Sequence, residues 1–164
     1  MVEMRVFGLA LDEKNQSPVL ILKDLGEEVV LPIWIGAMEA MAISLALNKV
    51  EFPRPMTHDL LLAAIGVLGG RVARIDIVRI ADGTFYAELV VEQGGEERRI
   101  DARPSDAIAV AVRAGAPLFA APEVLAEAGT TSPGAYQEVL KTEDAERWTE
   151  ELERLTEDET KYKM

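Results

Sequence analysis

The sequence predicts an α+β domain, with antiparallel or mixed sheet and a few packed helices rather than a doubly wound parallel sheet. Three observations carry this. Runs of β-branched or alternating residues are joined by short turns, as in hairpins, and only a few segments have helical composition. A hairpin–strand–helix pattern also occurs twice in the 164 residues.

Residues 2–12 and 17–24 read as strands separated by the loop at Lys14-Asn15-Gln16. After Gly26, residues 27–35 (EEVVLPIWI) hold the β-branched and aromatic types that strands favour. Pro32 places this strand at a sheet edge or a bulge, because proline has no N–H for a ladder. Residues 37–49 are rich in alanine, methionine and leucine and predict a helix, with Gly36 at the N-cap position. Pro53 and Pro55 force an extended segment. Thr57 is expected to cap a second helix running from His58 to about Leu68, closed by Gly69-Gly70. Residues 71–80 (RVARIDIVRI) alternate polar and apolar as a half-buried strand does. Asp82-Gly83 is a hairpin signal into strand 84–92, and Gln93-Gly94-Gly95 turns into strand 96–102. A helix from Ser105 to Arg113, a short strand 117–120 and a short helix opened by Pro122 follow.

The domain is assigned to residues 1–129. Residues 130–164 read as a linker (TTSPGAYQ) and an acidic amphipathic helix, with nine acids against five bases in 141–164. Trp148, Leu152 and Leu155 form its apolar stripe.

The repeat is visible in short strings. GEE stands at 26–28 and again at 95–97, and each is followed by a strand and a helix. EAMAISLA (39–46) then corresponds to DAIAVAVR (106–113), making Glu39 and Asp106 counterparts.

Composition narrows the classes. The chain has no cysteine, so disulfides and thiolate zinc sites are excluded, as suits a reducing compartment. The N-terminal segment lacks a signal-peptide layout and no apolar run reaches membrane-spanning length, so a soluble, cytoplasmic protein is expected. A net charge of -12 opposes broad electrostatic attraction to nucleic acid. Any such role needs a local basic patch, a bound cation, or both.

Four phrases carry more specific information: LPIWIGAMEA (31–40), FPRPMTHDLL (52–61), GTFYAELVV (83–91) and IDARPSDAIAVAVR (100–113). In this order and spacing, over about residues 3–127, the chain resembles the bifunctional nuclease domain family. The resemblance implies an α+β domain credited with cleaving both DNA and RNA. It brings no settled catalytic constellation, so the site has to be argued from chemistry.

Phosphodiester hydrolysis needs an activated water, neutralisation of the charged transition state and help for the leaving oxygen. Asp101 and Asp106 flank Arg103 and Ser105 in DARPSD, where a strand end meets a helix start. Such a turn gathers carboxylates with open backbone N–H groups. Asp101, Asp106 and Glu39 are therefore candidate ligands for Mg²⁺ or Mn²⁺. Arg54, Arg103 and Ser105 are candidate phosphate contacts. His58, the only histidine, is the candidate general acid, since histidine titrates near neutrality. Asp101 and Asp106 complete the catalytic set.

Structural readings stand beside each of these. Acids in a first helical turn favour the helix dipole whatever else they do. Ser105 and Thr57 suit N-caps. Asp101 and Arg103, two apart on a strand, share a face and can simply pair. Trp34, Met38 and Met41 read as core. Two functions from different classes follow: a metal-assisted nuclease acting on DNA and RNA without sequence preference, or a non-catalytic oligomeric interaction module. Abundant aliphatic residues and the tail's stripe predict a homo-oligomer, most simply a two-fold dimer.

Overall fold

The computed structural model describes residues 1–12 and 16–131 together with the backbone of residues 139 and 140. The linker and acidic helix expected from 130 onward lie otherwise outside the described residues.

Two meanders form the sheet. The first runs β1 (Val2–Leu11), β2 (Pro18–Asp24) and β3 (Val30–Trp34), followed by helix α1 (Ala37–Leu47). Helix α2 (Thr57–Val67) leads into the second, β4 (Gly70–Ala81), β5 (Thr84–Gln93) and β6 (Glu96–Ala102), followed by helix α3 (Pro104–Ala114). A short strand β7 (Leu118–Ala120), helix α4 (Pro122–Ala128) and strand β8 (Val139–Leu140) complete the order.

The sheet order is β3-β2-β1-β7-β4-β5-β6, with β8 pairing β1. Strand β7 is antiparallel to β1 and parallel to β4, so the two meanders run in opposite directions on either side of it. All other pairings are antiparallel, which makes the sheet mixed and the fold α+β. Each meander has the same strand succession and the same helix after its third strand, as the repeated strings predict.

The turns follow their chemistry. Asp82 and Gly83 have φ of 50° and 72°, and Gly94 and Gly95 of 61° and 84°. Two successive positive φ values let a two-residue turn match the twist of the strands it joins. Pro32 sits in β3, the edge strand, where its missing N–H leaves no ladder bond unmade.

The core lies between one sheet face and the helices. Leu20, Leu22, Leu31, Ile33, Ile75, Ile77 and Leu89 from the sheet meet Ile43 of α1 and Ile108 and Val110 of α3. Helix α3 is the central element, with seven of its residues buried. Trp34 and Met38 do not join this core as expected; both are exposed, because Trp34 ends the edge strand and Met38 lies in the outward first turn of α1. No helix among the described residues is long and apolar enough to cross a membrane.

Candidate active site at three helix starts

The first turns of α1, α2 and α3 meet, and each places an acid at its third position: Glu39, Asp59 and Asp106. Arg103, the N-cap residue of α3, joins two of them. Its Nε donates to Asp106 Oδ2 at 2.6 Å and its Nη1 to Glu39 Oε1 at 2.8 Å. The other Asp106 oxygen, Oδ1, lies 3.1 Å from Nε2 of His58. One carboxylate thus holds both the histidine and the arginine, and the histidine presents Nδ1 as its second nitrogen.

Gly36 makes room for this arrangement. A Cβ built at Gly36 would lie 2.2 Å from Glu39 Oε2, so the bare N-cap lets the Glu39 carboxylate fold against the helix start. A second arginine braces the three helices. Arg113, near the end of α3, donates from Nε to Asp59 Oδ1 at 2.6 Å and from Nη1 to the Ala42 carbonyl of α1 at 3.1 Å. The remaining Asp59 oxygen accepts the Met56 N–H at 2.9 Å, so the turn carrying His58 is fixed at both ends.

Electrostatics follow the contacts. Partial burial works to raise the Asp106 carboxyl, but hydrogen bonds and charge from Arg103 and His58 outweigh it and hold the group below the ordinary aspartate value. Burial opposes the same lowering at Asp59, where the Met56 N–H and Arg113 prevail. Arg103 is held more firmly protonated, by Asp106 first and Glu39 second. Its side chain is 64% exposed, against 15% for His58. Arginine has five N–H donors. Two are engaged here, which leaves three without a partner among these contacts.

Of the expected residues, Glu39, His58, Arg103 and Asp106 come together. Asp101 does not. Its cross-strand partner is Glu88, and paired residues share a face. That face is the one opposite Leu89 and Ala102, which pack with the core. The expectation that Asp101 and Arg103 share a face fails because strand alternation stops at Ala102, and Arg103 already belongs to the helix turn. No ion pair joins the two among the described residues.

Ser105 is not the N-cap either. Pro104 takes the first helical position, which shifts the cap to Arg103 and leaves Ser105 buried at the second. Thr57 is likewise the first helical residue, with Met56 as the cap. Arg54 is exposed before α2 and makes no ion pair among the described residues; the chain bends at Pro53 and Arg54, where the two prolines predict a fully extended segment. Arg113 was not foreseen; the available signal was a lone base at the end of the otherwise apolar DAIAVAVR.

A divalent ion fits this donor set poorly. The guanidinium of Arg103 already stands between Glu39 and Asp106, and a metal would have to displace it. Asp101 is on another face, and no three acidic or histidine side chains among the described residues are grouped as metal ligands.

Comparison with known proteins places the chain in a family. Residues 20–133 match the model of the bifunctional nuclease domain. The chain is 38% identical over 165 residues to an uncharacterized protein, Rv1829, of Mycobacterium tuberculosis, covering 98% of this chain and 99% of that one. It is 29% identical over 115 residues to bifunctional nuclease 2 of Oryza sativa subsp. japonica, and 27% over 115 residues to bifunctional nuclease 1 of Arabidopsis thaliana. In each plant case the match covers 68% of this chain and 35% of the plant protein. On its sequence match, the chain belongs to the bifunctional nuclease domain family.

Proposed function

We propose that the chain hydrolyses phosphodiester bonds in DNA and RNA, without sequence preference, at the meeting point of α1, α2 and α3. The observation that carries this reading is the double grip of Asp106 on His58 and Arg103. It fixes a proton-transfer group and a cation side by side, and three helix N-termini add positive potential at the same point.

Water attacks phosphorus, releases its proton to solvent, and the bond to the leaving oxygen breaks. His58, protonated and oriented through Nε2 by Asp106, gives the Nδ1 proton to that oxygen. The outward N–H groups of Arg103 neutralise the phosphoryl oxygens, and Arg54 supplies a second cation along the strand. Glu39 keeps Arg103 aimed. Sequence independence follows from contacts to phosphate alone.

The test is hydrolysis of end-labelled single-stranded DNA and RNA by highly purified protein, in EDTA and in Mg²⁺ or Mn²⁺. Cleavage is expected in EDTA, and His58→Ala should lower it on the order of 10²–10⁴-fold. Cleavage seen only with Mn²⁺ would show that Arg103 yields its place to a metal and would overturn the metal-free reading. A His58→Ala protein as active as the parent would assign the signal to contamination and favour a non-catalytic module.

A further inference from the structure

Helix α2 has no buried residue, although eight of its eleven residues are apolar or glycine. Leu62 and Ile65 point inward and pack partly against the core. On the opposite side Leu60, Ala64, Val67 and the C-cap Leu68 follow one another at helical spacing, all exposed. Val67 is 87% exposed, Leu68 73% and Leu60 60%. Met56, one turn before Leu60, continues the stripe and is also exposed. A helix that is apolar all round belongs in an interior, and here only one side has its covering.

We infer that this outer stripe is the interface with a second copy of the chain, paired about a two-fold axis. Charge selects the occupant. Copies carrying a net charge of -12 repel over most of their surface, yet residues 60–70 (LLLAAIGVLGG) contain no ionisable side chain. Self-contact there buries apolar surface without desolvating a charge or setting like charges together. Partners that meet and part present surfaces no more apolar than the rest of a protein, whereas permanent homodimer contacts are depleted of charge at their centre. This inference is independent of the chemistry proposed for His58.

Sedimentation velocity of the full chain at tens of micromolar tests it, with Leu60→Glu, Val67→Glu and a control, Leu25→Glu, on the exposed β2–β3 turn. The parent and the control should sediment at twice the monomer mass and the two helix variants at the monomer mass, with circular dichroism unchanged. A monomeric parent overturns the proposal. So does a dimer that persists in both helix variants. Hydrogen exchange on the parent identifies the rival: α2 amides more protected in a monomer than in Leu60→Glu would assign the stripe to residues 141–164 of the same chain.

Discussion

On the sheet face opposite Ile75 and Ile77, Arg74 and Arg99 converge on Asp76, whose side chain is only 4% exposed. Arg74 also donates to Glu97 at 2.6 and 2.9 Å, and Arg99 to Glu88 at 2.6 Å. On the helix side, Arg103 joins Glu39 and Asp106 with similar bond lengths. The chemistry is shared and the settings differ. The sheet network ties β4, β5 and β6, and its acid is enclosed between two arginines. The helix network spans three separate helix starts, contains the histidine, and leaves most of its arginine in solvent. One ties strands together, and the other leaves its arginine open to solvent.

The sharpest way to break that contrast is Asp76→Ala. It removes the buried carboxylate that both arginines share, while Glu97 and Glu88 still pair with them, and should cost about 1–3 kcal/mol of unfolding free energy. Urea titration measures this, while hydrolysis per folded molecule should stay at the parent rate. A large loss of activity at unchanged stability would show that the two networks do not have the separate roles argued here.

Arg103→Lys probes the other side. Lysine keeps the charge but not the planar fork, so it cannot serve Glu39, Asp106 and a phosphate together. Hydrolysis should fall about 10- to 100-fold, the worth of one charged hydrogen bond. The urea midpoint should move little, because the group is mostly exposed. Equal rates for the two proteins would remove Arg103 from the site.

The smallest expected effect is in acid. Asp106 is depressed below its ordinary value in the folded chain, so the stability it contributes is present above about pH 4 and is lost as pH falls through the folded-state value. Asp59 and Glu97 are depressed in the same direction. Asp106→Asn should therefore flatten part of the decline in urea midpoint below about pH 4 and leave the rest. A decline identical to the parent's would mean the pairing with Arg103 and His58 is not made in solution.

Much of this was legible in the sequence. Hairpin turns, the edge placement of Pro32 and the helices after each third strand follow from local composition, because each rests on backbone chemistry within a few residues. The correspondence of Glu39 with Asp106 was readable from the repeated strings, but the arginine bridge between them was not. Asp101 misled because alternation holds only while a strand lasts, and the strand ends one residue later. Ser105 misled because Pro104 outcompetes it in setting the helix start. Arg113 was hidden because its partners lie 54 and 71 positions earlier in the chain, and nothing local announces such a contact.

The two meanders carry unequal helix starts: where the second has Arg103 at the N-cap of α3, the first has Gly36 at the N-cap of α1. A single guanidinium consequently serves the carboxylates of both repeats, while the bare N-cap of the first gives its own Glu39 room to fold back. The seam between the repeats owns the site, and neither half contains it. With one N-cap cationic and the other bare, one repeat donates and the other accepts, so the network requires both.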